Sequence, residues 1–276
     1  MAAEMRWTNS MLSMLEVCGE KFRLRYIEKI LMPPSPRQVR GTATHRSVRF
    51  SMKRRMDAGL LPALEEVKDN AASEFDMQWL SGVLLSEEDK AEGMATVRDR
   101  AKDMAVNLSG LHRTAVAPGI VPKGVEYRID VKPKDSDITI AGTLDLLADQ
   151  GGLDWIRDTK TGEKSPNGDA AERSQQLTMY GLIRLAEVGA LPAGYQQDHL
   201  VQTPARRDLK YVPLKTSRDM EDMRLLVNRI NTATESVRRG SFVPCPPDHW
   251  ACSATWCDYF NNGCIYTTRG VSRPTS

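Results

Sequence analysis

The sequence predicts an α/β protein in which a mixed β-sheet carries helices on both faces. Three observations lead there. Short runs of β-branched and apolar residues between residues 121 and 161 are separated by Asp-, Ser- and Gly-rich turns, the pattern of strands in a meander. Apolar residues recur at helical spacing before that stretch and again after it, around a second strand pair. A hydrophobic content of 41% with 27% charge is ordinary for a globular chain that buries a core.

The helices come first. Thr8, Asn9 or Ser10 can cap a helix whose apolar positions Met11, Leu15, Phe22, Tyr26 and Ile30 share one face. Cys18 lies on that face, and by pattern alone it is a small buried hydrophobe. Pro33, Pro34 and Pro36 end this helix in a stiff loop. Gly41-Thr42-Ala43-Thr44-His45 opens a second helix, in which His45, Val48, Met52 and Met56 share a face. Pattern alone makes His45 a core residue. The other faces carry Arg46, Arg49, Lys53, Arg54 and Arg55, with Arg37 and Arg40 upstream and no acid from 37 to 55. Such a run is ordinarily a solvated face. With a net charge of only +2, it is also the best local set of phosphate contacts, Arg46, Arg49 and Lys53 foremost. Residues 62–80 and 86–113 read as two more helices, the second started by Ser86-Glu87-Glu88-Asp89. They carry no chemical constellation and are expected to form a helical insert over about residues 60–115.

Val121 to Val131 is a strand containing Glu126, and Lys134-Asp135-Ser136-Asp137 is a turn. Ile138 to Leu147 and Leu153 to Thr161 form a hairpin, because Gly151 and Gly152 tolerate the positive φ of a tight turn. The first of these strands holds Asp145, and the second holds Asp158 and Lys160. Side chains two apart on a strand point the same way. Two carboxylates and an ammonium group can therefore converge at one end of the hairpin. Metal-assisted phosphodiester hydrolysis uses such a set. The carboxylates hold a hard cation, Mg²⁺ or Mn²⁺, and the lysine stabilises the added negative charge. An isolated Asp-x-Lys is common on solvated strand faces, so the remaining chain has to support this reading.

A helix follows from about Asp169 to Val188, with Gln176 and Tyr180 one turn apart. Strands at Tyr195 to Gln202 and Leu209 to Leu214 flank the turn 203–208, and a helix over 217–239 is capped by Ser217. The tail from Ser241 to Cys264 holds four of the five cysteines, Cys245, Cys252, Cys257 and Cys264. That clustering points to metal ligation. An odd count and an N-terminus without an apolar leader speak against disulfides and secretion. A cytoplasmic protein is expected, with no membrane contact, because no run of about 18 apolar residues occurs.

Taken in order, these fragments resemble the PD-(D/E)XK nuclease superfamily, and within it the RecB-like branch of CRISPR-associated and phage exonucleases with an iron–sulfur cluster. SMLEVCGEKFRLRYIEKI (13–30) is similar to that branch's N-terminal helix, and GTATHRSV (41–48) to its histidine motif. GTLDL (142–146) and DTKTG (158–162) are similar to the two acid motifs, QLTMY (176–180) to the glutamine–tyrosine motif, and WACSATWCDYFNNGC (250–264) to the cysteine cluster. The resemblance implies a restriction-endonuclease-like fold, one nuclease domain over residues 1–276, closed by a cysteine segment (241–266) against the first helix. It implies His45, Asp145, Asp158 and the Thr159 carbonyl as ligands of Mg²⁺ or Mn²⁺, and Lys160 as the catalytic lysine. Gln176 and Tyr180 would position substrate or lysine, and Glu126 matches an acid often found on the preceding strand. Cys18, Cys252, Cys257 and Cys264 would hold a [4Fe–4S] cluster. The spacing departs from the branch, whose recombination enzymes commonly hold the first pair closer. Cys245 and His249 also stand nearby, so a zinc site is the rival. The implied activity is a DNA exonuclease for single strands or duplex ends, in phage or bacterial recombination or DNA processing, with homo-oligomers among its relatives. A catalytically silent DNA- or partner-binding module on the same fold is the alternative.

Overall fold

The computed structural model describes residues 5–134, 136–203 and 207–267. Asp135 of the expected 134–137 turn and residues 204–206 of the 203–208 turn lie outside the described residues. In chain order the elements are β1 (Met5–Trp7), α1 (Asn9–Val17), α2 (Gly19–Phe22), α3 (Pro36–Ala58), α4 (Leu64–Leu80), α5 (Glu87–Glu92) and α6 (Met94–Leu111). Then come β2 (Val121–Val131), β3 (Ile138–Gln150), β4 (Leu153–Gly162), α7 (Gln175–Val188), β5 (Gly194–Gln202), β6 (Leu209–Thr216) and α8 (Met220–Arg238).

The six strands form one mixed sheet assembled on β3. Along one edge of β3 runs β2, antiparallel, from Val131↔Ile140 to Val121↔Asp149. The other edge is shared. β1 pairs parallel with Ile138–Ile140, and β4 pairs antiparallel with Leu146–Gln150. Residues 141–145 of that edge pair with neither, so the sheet forks there. Beyond β4 lie β5, parallel to it, and β6, antiparallel to β5. Gly151 and Gly152, at φ 67° and 83°, make the tight hairpin turn the sequence predicts.

Helices cover both faces. On one side α1, α7 and α8 bury Leu12, Leu177, Ile183, Leu226 and Ile230 against Leu144, Leu147, Ile156 and Tyr195. On the other, α3 and α6 bury Val48, Met52, Met104 and Leu108 against Leu146, Ala148 and Leu200. Each such side chain contributes roughly 1.5–3 kcal/mol by leaving water. No helix among the described residues is long and apolar enough to cross a membrane.

The first helix is not continuous. Cys18 is extended, at φ −157° and ψ 105°, and splits α1 from α2. The cause is tertiary: the tail backbone at Val243 presses on Gly19, whose N–H donates to the Val243 carbonyl at 2.7 Å. A Cβ on Gly19 would stand 2.6 Å from the Val243 nitrogen. The second helix starts earlier than Gly41. Ser35 and Gln38 form a capping box and Pro36 takes the first turn, where its missing N–H costs nothing. The 86–113 segment breaks at Gly93, φ 97°. Residues 169–173 are turns, and α7 begins only after Ser174, whose hydroxyl caps it. The last helix is capped by Asp219 rather than Ser217, through a capping box with Asp222.

Candidate active site

The fork in the sheet positions the two acids. The β3–β4 ladder stops at Leu146↔Arg157, so Asp145 and Asp158 are the first residues past the last pair, one on each prong. Alternation along β3 inverts at Asp145. Gly142 faces Ile183 and Tyr180 of α7, where a Cβ would come within 2.7 Å of Ile183 Cδ1, and Leu144 joins the same core. Leu146 and Ala148 belong to the opposite core. Across the strand pair stands Glu126, at φ 45°, a left-handed conformation rare for a residue with a side chain. The kink leaves Asp145 reachable from α3 as well as from β4. His45 Nδ1 lies 3.2 Å from Asp145 Oδ2, and the Thr159 N–H donates to the same oxygen at 3.1 Å.

Asp158 is 1% exposed, and neither carboxylate oxygen has a hydrogen-bond partner. Lys160 Nζ stands 2.8 Å from Asp158 Oδ2, a close ionic contact without hydrogen-bond geometry. Buried carboxylate oxygens without hydrogen bonds are costly. They suit a cation arriving from outside, which is the physical fit of this site to a divalent metal. Burial pushes the Asp158 carboxyl up to about 6, and Lys160 only partly offsets this. At Asp145, burial also pushes upward, but His45, Lys160 and the Thr159 N–H outweigh it and hold that carboxyl below the usual range. His45 is pushed down by burial, yet the facing Asp145 carboxylate raises it above an ordinary imidazole.

Lys160 is tethered by a relay. Its ammonium donates to Gln176 Oε1 at 2.6 Å, Gln176 Nε2 donates to the Tyr180 hydroxyl at 2.6 Å, and Tyr180 donates to the Thr143 carbonyl at 2.8 Å. The i, i+4 spacing on α7 stacks the glutamine over the tyrosine. The Thr143 carbonyl lies on the unpaired edge of the fork, so Tyr180 satisfies a group that the missing ladder leaves open.

A family model of the PD-(D/E)XK nuclease superfamily matches residues 6–262. The chain belongs to that superfamily. The six-stranded mixed sheet flanked by helices is consistent with a restriction-endonuclease-like fold. No curated protein matches the chain.

In this PD-(D/E)XK chain several residues without a sequence signal neighbour the site. Gln197 and His199 stand on β5 in register with Asp158 and Lys160. Gln197 links to His199 at 3.1 Å and donates to the Ser174 hydroxyl at 3.1 Å. On the other face of β4 and β5, Arg157 grips Asp198 with two bonds of 2.8 and 2.7 Å, and Tyr211 and Gln196 donate to the same carboxylate. Removing one partner of such a buried pair costs about 3–5 kcal/mol, so the pair fixes the β4–β5 register behind the site. A strand reading Gln-Gln-Asp-His carries no apolar signal for a central position.

Other expected residues lie outside this convergence. Glu126 faces α3 and pairs with Arg49 at 3.0 Å. Arg46 pairs with Glu74 at 2.8 Å and Lys53 with Asp57 at 3.2 Å. Arg46, Arg49 and Lys53 are therefore neutralised by acids from other segments and from their own helix, partners that an acid-free stretch does not reveal.

All five cysteines are unbridged and line one cavity of about 300 Å³ between α1, α2 and the tail. Cys18 Sγ accepts from the Cys245 N–H at 3.3 Å and the Lys21 N–H at 3.4 Å, so Cys18 is a capping residue rather than a mid-helix hydrophobe. Burial pushes the Cys245, Cys252 and Cys257 thiols up. Among the described residues no group of three or more His, Cys, Asp or Glu could hold a single metal ion. This holds for the cysteines, which share a cavity, and equally for His45, Asp145 and Asp158.

Proposed function

We propose that this chain is a Mg²⁺- or Mn²⁺-dependent DNA exonuclease of the RecB-like branch, its residues forming one nuclease domain with the helices of 60–115 as an insert. One observation carries the catalytic reading: the buried carboxylate of Asp158, without a hydrogen bond, stands across the fork from Asp145 and in ionic contact with a tethered lysine. His45, Asp145, Asp158 and the Thr159 carbonyl would hold the cation. When bound, it supplies Lewis-acid polarisation of the phosphate and acidification of the attacking water.

The chain's own residues do the rest. Lys160 places a positive charge where the phosphorane oxygens gain negative charge. Gln176 and Tyr180 hold Lys160 on that line, so its position is set before substrate arrives. Cys18, Cys252, Cys257 and Cys264 would bind a [4Fe–4S] cluster, with Cys245 as the spare thiol. A cubane cluster takes its thiolates at four separate irons, so they need not crowd round one point as zinc ligands do.

The test is digestion of end-labelled single-stranded and duplex DNA across a series of divalent cations. Asp158→Ala and Lys160→Ala should each lower cleavage by at least about 100-fold, with DNA binding retained. Either variant cutting at the parent rate would refute the assignment. No product from the parent with any cation would instead favour a silent DNA-binding module.

A further inference from the structure

Two tryptophans of the tail, Trp250 and Trp256, are 61% and 50% exposed. Their rings meet edge to face at 5.4 Å, and Arg37 lies over Trp256 at 5.2 Å from the ring centre. Large exposed aromatics are held in place here rather than scattered. Lys21 donates to the Trp256 carbonyl at 3.1 Å and stands 3.7 Å from Asp258.

Arg37 differs from the other cations of α3. Arg40, Arg46, Arg49, Lys53 and Arg54 each pair with an acid, and Arg55 donates to the Ala117 carbonyl at 2.6 Å, whereas Arg37, with no ion pair among the described residues, contacts the indole, its charge still felt by Glu163. It also shares α3 with His45 of the fork. Arg37 and His45 are eight residues apart on α3, about 12 Å along the axis. Between them α3 is fastened to the end of β4, where Arg40 bonds Glu163 at 2.6 Å and a Cβ on Gly41 would touch Thr161 Oγ1 at 3.6 Å.

We propose that Trp256 and Trp250, with Arg37, form a stacking platform for unpaired bases of single-stranded nucleic acid leading into the Asp145–Asp158 fork. The proposal rests on the nuclease reading for its direction, and it names the single strand as the substrate class. A half-exposed indole can stack on any unpaired base, and the Arg37 guanidinium lying on Trp256 can turn to the phosphate that follows. A duplex hides its base faces in the stack and gains nothing from the indoles.

The test is binding, measured with chelator present so that cleavage plays no part. An oligothymidylate should quench tryptophan fluorescence of the parent. Trp256→Ala should weaken that binding about tenfold, Trp256→Phe should retain most of it, and Arg37→Gln should weaken it. Duplex affinity and the unfolding midpoint should stay unchanged in all three. Single-strand affinity of Trp256→Ala within twofold of the parent, or equal losses for duplex and single strand, would overturn the platform. If Trp256→Ala does not fold, the Phe and Gln variants decide: equal affinity in both overturns it. Failure of the nuclease reading would appear only in the cleavage assay, because Asp158→Ala should leave oligothymidylate binding intact.

Discussion

Asp158 illustrates a residue kept at a cost to the fold. Its carboxylate is buried, its pKa is pushed up to about 6 by that burial, and its oxygens lack hydrogen bonds. Replacing it by Asn removes the charge while keeping the shape. Asp158→Asn should therefore raise stability in chelator, by about 1–2 kcal/mol in urea unfolding, while losing cleavage. Added Mn²⁺ should stabilise the parent and not the variant. His112 makes a second residue-scale prediction. It is 1% exposed, and burial lowers its pKa to about 4. A folded pKa below the unfolded value of about 6.5 means that the unfolded chain takes up the proton first. The contribution of neutral His112 is thus complete above about pH 6.5 and is lost as pH falls towards 4, up to about 3 kcal/mol. Urea midpoints measured across that window should fall more steeply for the parent than for His112→Gln. Equal slopes would show that another group titrates there.

At the scale of elements, the α1–α2 break at Cys18 depends on a glycine that lets the tail backbone touch the helix. Gly19→Ala should cost about 3 kcal/mol, the upper end for overpacking, because the obstruction is backbone and not a movable side chain. A stability equal to the parent's would mean that the Val243 segment does not dock there. The same contact marks the limit of reading elements from the sequence. The hairpin with Asp145, Asp158 and Lys160 was legible, since a glycine pair and strand periodicity are local signals. So were the β5–β6 hairpin and the i, i+4 pairing of Gln176 with Tyr180. The helix break was not legible, because its cause lies more than two hundred residues away in the tail. Nor was the inversion of β3 at Asp145, which coincides with the left-handed backbone of Glu126 on another strand. The polar strand β5 concealed Gln197 and His199, and Arg46, Arg49 and Lys53 found their acids only in the folded chain.

For the whole molecule, the cysteine cavity joins the first helices to the tail: the Cys245 backbone N–H donates to Cys18 Sγ across a separation of 227 residues. Closing a loop of that length costs on the order of 5 kcal/mol by the logarithmic rule. A structural metal centre can return about 10 kcal/mol or more, so the centre would dominate the docking of the tail. Protein purified without oxygen should be brown and contain iron. Cys264→Ser should lose the colour, lower the unfolding midpoint and expose the tail to protease. Colourless parent protein containing stoichiometric zinc would replace the cluster with the rival site.

The fork in the sheet has one more consequence. β-Sheets ordinarily gain stability by zipping, each new rung reinforcing the last. Here another rung beyond Leu146↔Arg157 would draw Asp145 and Asp158 into the ladder and fill the gap through which the proposed cation would enter. If the gap is needed, selection for a sturdier scaffold is barred from its cheapest route, and any hardening of this chain must be found in the helices, in the hairpin turn, or in the cysteine-lined seam.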